Sequence, residues 1–235
     1  MITIEGLSKM YGMRPVLRSL DLQVERGEFV ALVGANGAGK TTLLQILATL
    51  LKPDTGTVTI CSHDVVTTSI QVQKLVGFVS HQPLVYADLS AFENLRFTAQ
   101  MYDLFPGVSN WRKLADAKIM EALQRAGLMQ RAHDRVKTYS RGMLQRLAIA
   151  RATLHDPLVL LLDEPYTGLD QKSATHLSTL LVESLSLGRT IIMSTHEMGR
   201  GLYGVTRVVK LQAGRIEKDV TGVINEERLV AESLI

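Results

Sequence analysis

The chain has 235 residues, 46% of them hydrophobic and 21% charged, enough apolar material for a sizeable core and too little charge for a disordered polymer. Its formal net charge of +3 is a mild bias that does not argue for a nucleic-acid partner. A single cysteine, Cys61, excludes an intrachain disulfide framework, and no apolar run reaches the ~20 residues that span a bilayer.

Met1 to Gly6 lack the charged and apolar regions of a signal peptide, so no leader is expected. Ile2-Thr3-Ile4 and Leu20-Asp21-Leu22-Gln23-Val24 alternate with period two and predict antiparallel strands. Residues 29–33 form a continuous apolar strand; a Gly-rich run, 34–42, follows and opens a helix over 42–47. Residues 52–56 read as a turn into a strand over 57–60, with Cys61 packed beside it. Residues 76–79 read as a buried strand ending at Ser80-His81-Gln82-Pro83.

From 91 to 126 the pattern is helical, broken at Phe105-Pro106-Gly107. With the amphipathic helix at 143–154 it reads as a helical subdomain inserted at about 88–155. Residues 158–162 are an apolar run of the kind found in central parallel strands. A helix over 171–187 ends at Gly188, and a buried strand follows at 190–193. Strands at 207–211 and 215–220, a turn at Gly214 and a short terminal helix close the chain. Strand–helix alternation around the Gly-rich run predicts one α/β domain over 1–235, with a mostly parallel central sheet and N-terminal antiparallel strands.

The run Gly34-Ala35-Asn36-Gly37-Ala38-Gly39-Lys40-Thr41-Thr42 carries the strongest chemical signal. Strand, Gly-rich loop, Lys-Thr and helix is the context in which a P-loop pattern predicts a nucleotide site. Glycines let successive N–H groups turn toward a phosphate, and the helix start adds unpaired donors and a positive dipole end. Lys40 supplies a mobile charge for the β- and γ-phosphates, and Thr41 a hydroxyl for Mg²⁺.

Asp163 and Glu164 end the 158–162 strand. Asp163 suits Mg²⁺ and Glu164 suits a base for an attacking water, although such a pair also serves as a helix cap or a surface feature. His196 and Gln82 end two further strands, and ligands bind at the carboxyl ends of parallel strands. A lone histidine is more often structural. His63, His81, His133, His155 and His176 show no metal-ligand spacing.

Together these motifs resemble the ATP-binding subunit of an ATP-binding-cassette (ABC) transporter, and the resemblance covers essentially the whole sequence. It implies a P-loop NTPase fold of the ABC ATPase type. It implies that Tyr11 stacks on adenine and that Gly34, Asn36, Gly37, Ala38, Gly39, Lys40, Thr41 and Thr42 form Walker A. By the same resemblance Gln82 is the Q-loop residue that touches Mg²⁺ beside Thr41 and Asp163, and Glu164 adjoins Walker B. Residues 167–170, ending in Asp170, match the D-loop, and His196 matches the switch histidine at the γ-phosphate.

The signature reads Tyr139-Ser140-Arg141-Gly142-Met143 where the family usually has Leu-Ser-Gly-Gly-Gln. Ser140 and Gly142, the groups that would reach a γ-phosphate, remain; Arg141 adds bulk and charge. The resemblance further implies ATP or ADP with Mg²⁺ between two copies in a head-to-tail homodimer, or a heterodimer with a related ATPase. It implies multi-span membrane permease subunits docked near Gln82 and the 91–102 helix, and a peripheral place on the cytoplasmic face of the inner membrane. Within the family, residues 139–146, 154–157 and 163–170 are similar to the haem-exporter ATPase of cytochrome c maturation. The alternatives are a drug, antibiotic or lipid exporter ATPase, or a soluble ABC ATPase acting on ribosomes or DNA.

Overall fold

A computed structural model describes residues 1–196, 202–222 and 232. Strands β1 (Ile2–Tyr11) and β2 (Arg14–Val24) form a long antiparallel hairpin. β3 (Phe29–Val33) leads through the Gly-rich loop into α1 (Lys40–Leu47). β4 (Thr55–Ile60) and β5 (His63–Asp64) complete a four-stranded sheet in the order β2-β1-β4-β5. Next come α2 (Ser69–Leu75), β6 (Val76–Val79), α3 (Ala91–Met101), α4 (Trp111–Arg125) and α5 (Arg141–Thr153). β7 (Val159–Asp163), α6 (Gln171–Ser186), β8 (Thr190–Ser194), β9 (Arg207–Gln212) and β10 (Arg215–Thr221) follow.

The second sheet has the order β10-β9-β3-β8-β7-β6, parallel throughout except at β10, which returns antiparallel to β9. Its central strands β3, β8 and β7 are buried on both faces, which explains their continuous apolar runs, whereas β10 at the edge alternates exposed and half-buried residues. Val30 and Leu32 face a core shared with α1 and the four-stranded sheet, while Phe29, Ala31 and Val33 face a second core under α5 and α6. Leu160 and Leu162 divide from Val159 and Leu161 in the same way. A third cluster lies wholly between Ala91 and Leu154, where Leu95, Ile119, Leu123 and Leu147 are fully buried. Each such side chain stabilises the fold by about 1.5–3 kcal/mol relative to exposure.

β6 is an edge strand, and α5 covers its open side. Arg151 Nη2 donates to the Phe78 carbonyl at 3.0 Å, and the Nε2 of His155 lies 3.1 Å from the Val76 carbonyl. These side chains occupy acceptors that a neighbouring strand would otherwise take. The His155 ring stacks on Tyr102 with centroids 3.9 Å apart.

Several expectations change in detail. The hairpin strands run longer than their alternation predicted, because irregular register near Gly6 and Ser19 interrupts the period. β4 starts at Thr55, inside the expected turn. α2 was not expected; its single buried residue, Val72, gives too weak a periodic signal. The helical stretch breaks over 102–110 rather than at 105–107 alone, since α3 ends at Met101 and α4 starts at Trp111. α5 begins at Arg141, two residues early, because Ser140 caps it. Cys61 lies in a turn with φ 50° after β4, still packed against the core. The expected terminal helix lies outside the described residues.

Candidate functional site

The Gly-rich loop is built where β3 meets α1. Gly34 has φ 141°, and a Cβ there would run into the Leu211 carbonyl, so the loop's entry accepts only glycine. Gly39 caps α1 in the left-handed region; α1 has neither a side-chain cap nor an acidic residue in its first turn. Its first N–H groups are therefore left for an outside acceptor, at the positive end of the helix dipole.

Lys40 is buried, and its Nζ donates to the Gly34 and Ala35 carbonyls at 2.5 and 3.3 Å. Burial lowers its pKa, opposed by the nearby Glu164 and Asp163 charges. Thr41 Oγ1 donates to Asp163 Oδ1 at 3.1 Å, and Ser194 Oγ donates to the same oxygen at 2.7 Å. That pairing follows from register, since Asp163 and Ser194 are partners across β7 and β8. A hydroxyl and a carboxylate side by side beneath a phosphate-type loop are the hard oxygen donors that Mg²⁺ takes, so the residues fit that ion.

Glu164 has φ 50°, an unusual conformation for a residue with a side chain. Its N–H is held by Ser194, at 3.2 Å to the carbonyl and 2.9 Å to the hydroxyl. Its carboxylate lies 3.3 Å from His196 Nδ1 through Oε1 and 4.0 Å from His81 Nδ1 through Oε2.

Tyr11, Asn36, Gly37, Gly39, Lys40, Thr41, Thr42 and Glu164 line one cavity of about 340 Å³. Gly34 and Ala38 belong to the loop that forms its wall. Arg14 and Val16 line it too; sequence reasoning missed both, since neither carries a motif and only the hairpin brings them beside Tyr11. Gln82 is not brought to the cavity. It is exposed beyond β6, where its carbonyl accepts from the Ser80 hydroxyl, and its neighbour His81 lies nearer Glu164. Ser194, which holds both Asp163 and Glu164, was also missed.

Ser140, Gly142 and Asp170 are absent from that cavity's lining and lie at the adjoining N-termini of α5 and α6. Ser140 Oγ accepts from Met143 N–H at 3.3 Å, and Asp170 Oδ1 accepts from Ser173 N–H at 2.8 Å. The latter bond lowers the Asp170 pKa. Gly142 is buried against Ser173.

A Gly-rich loop between a central parallel strand and a helix, with Asp-Glu ending a nearby strand, defines a P-loop nucleotide-binding ATPase. The family model described as ABC transporter matches residues 17–167, and the chain belongs to that family as an ATP-binding subunit, an ABC-type ATPase. It is 37% identical to the uncharacterized ABC transporter ATP-binding protein YdbJ of Bacillus subtilis, over 93% of this chain and 68% of that protein. It is 34% identical to the daunorubicin resistance ATP-binding protein DrrA3 of Streptomyces coeruleorubidus, over 92% of this chain and 66% of that one. With the lipoprotein-releasing system ATP-binding protein LolD of Bacteroides thetaiotaomicron it shares 38% identity over 93% of this chain and all of that one. The chain thus spans about two thirds of the length of some relatives and the full length of another. Among solved structures, a dimeric post-hydrolysis state of the ATP-binding cassette MJ0796 bound to ADP and Pi superposes with TM-score 0.85 at 28% identity, covering 94% of this chain and 98% of that one.

Proposed function

We propose that this chain hydrolyses ATP to drive export through separate membrane subunits, as one cassette domain over 1–235 with a helical subdomain at about 88–155. The observation that carries the reading is the convergence of Lys40, Thr41, Asp163, Glu164 and His196 at one sheet edge. Main-chain N–H groups of residues 34–42 and Lys40 grip the triphosphate, and Tyr11 stacks on adenine. Thr41 and Asp163 would hold Mg²⁺, which when bound would supply positive charge to offset that of the phosphates. Gln82 joins this set only after its loop moves toward the cavity. Glu164 orients water and accepts its proton, with His196 steadying the carboxylate and the γ-phosphate.

Ser140, Gly142 and Asp170 lie away from this chain's own cavity, so they complete the site of a second protomer in a head-to-tail dimer. That protomer is a second copy or a related ATPase. The dimeric cassette to which the chain is similar supports this reading. In this reading permease subunits dock in the groove of about 540 Å³ beside Leu84, Tyr86, Phe97 and Met101, and the chain works as a peripheral subunit on the cytoplasmic face of the membrane. Among the described residues no helix is long and apolar enough to cross a membrane.

The cargo class follows the relatives. DrrA3 and the linearmycin resistance protein LnrL of Bacillus subtilis, 31% identical, are named for antibiotic resistance. Two others are named for Nod factor and SkfA peptide export. These favour an amphiphilic antibiotic, lipid or peptide cargo over haem, to which the short similar stretches pointed. The test is light scattering of the Glu164→Gln variant with and without Mg-ATP: an ATP-dependent dimer is expected, and a monomer under both conditions overturns the shared-site reading.

A further inference from the structure

We propose that Arg141 is a positioning residue for hydrolysis, clamping the signature turn to the loop before α6 so that Ser140 and Asp170 meet a second protomer as one rigid unit. The proposal rests on the two-protomer reading above. Arg141 is the residue that stands where the family usually has glycine. Its guanidinium lies over Gly168: a Cβ on that glycine would sit 2.7 Å from Arg141 Cζ and 2.8 Å from Nε and Nη1. Gly168 has φ 71° and presents a bare face that a planar guanidinium can cover.

A second contact locks the same two segments. Gly142 leaves no room for a Cβ against Ser173, so the first turns of α5 and α6 touch. Ser140 and Asp170 are the N-caps of these two helices. Among the described residues Arg141 makes no side-chain hydrogen bond that would explain its place, and a cation in a helix's first turn is unfavourable against the dipole. Its packing on Gly168 supplies the compensating contact.

The test combines Arg141→Gly, Arg141→Lys and Gly168→Ala with three readouts: nucleotide affinity of the single protomer, KM for ATP, and kcat. Arg141→Gly should leave protomer affinity within about twofold and lower kcat about tenfold, because only assembly of the shared site is disturbed. Arg141→Lys should rescue kcat only in part, since an ammonium keeps the charge but lacks the planar fork. Gly168→Ala should lower kcat in the natural background and cost less once Arg141→Gly has removed the obstructing side chain, a coupling between the two positions. A kcat unchanged in Arg141→Gly, or strictly additive effects in the double variant, overturns the proposal. Loss of protomer nucleotide binding in Arg141→Gly also overturns it, by showing a general folding role. Absence of nucleotide binding by the unsubstituted chain would instead bring down the ATPase reading itself.

Discussion

Nδ1 of His196 lies 3.3 Å from Oε1 of Glu164, joining the residues that leave β8 and β7 at the same sheet edge. The two strands are paired in register, Leu162 with Met193 and Asp163 with Ser194, so the next residues of each necessarily emerge together. If Glu164 is the base, Glu164→Gln keeps its shape and loses its basicity. Steady-state ATP hydrolysis should fall by about 10²–10⁴-fold while ATP affinity survives. Undiminished turnover in that variant excludes Glu164 from proton transfer.

Ser194 supports both acidic residues, donating to Asp163 and accepting from the Glu164 N–H. Ser194→Ala strips a buried hydrogen bond to a carboxylate and should destabilise the chain by about 1.5–3 kcal/mol. Urea denaturation measures this. A loss below about 0.5 kcal/mol would mean that the strand pairing alone holds the Asp-Glu turn.

Arg14 shares the cavity with Tyr11 and Lys40. Being a mobile cation beside a proposed polyanion site, it should contribute a salt-sensitive share of affinity. Arg14→Ala is expected to weaken binding of a fluorescent ATP analogue about three- to tenfold at low salt, and less at high salt. Equal affinity at all salt concentrations would remove Arg14 from the site.

His155 gives the fold an acid-sensitive element. Burial against Tyr102 and β6 pushes its pKa from 6.5 down to about 4. Between those values the unfolded chain binds a proton that the folded chain refuses, so stability falls as pH drops from 6.5 toward 4 and levels off below. The full effect is about 3 kcal/mol. His155→Phe keeps a stackable ring without the titration, so its melting temperature should fall less over that pH range. Parallel pH dependence in both proteins would assign the acid sensitivity elsewhere.

The parts of this architecture that were legible in the sequence are those written by repetition or by sharp chemistry. β3, β7 and β8 are buried on both faces, so their apolar runs stand out, and the Gly-Lys-Thr loop needs its residue types at fixed positions. Ser140 and Asp170 were visible as motif residues, though their use as caps of α5 and α6 emerged only with the helices in place. α2 escaped because seven residues with one buried side chain leave no periodic trace. Arg14, His81 and Ser194 escaped for another reason: Arg14 carries no motif and reaches the cavity through the β1–β2 hairpin, while His81 and Ser194 gain relevance from strands distant in sequence brought side by side, which no local spacing encodes. Gln82 shows the reverse case, a clear motif position whose side chain the fold leaves outside the cavity.

Lys40 Nζ donates to the loop's own carbonyls at Gly34 and Ala35, and the proposed function has it bind phosphate oxygens in their place. Equilibrium titration of the folded chain with Mg-ATP, beside Lys40→Ala, measures this directly. The structure predicts saturable one-site binding that weakens by about tenfold or more in the variant. Indistinguishable affinities, or no uptake by the well-folded unsubstituted chain, would contradict it.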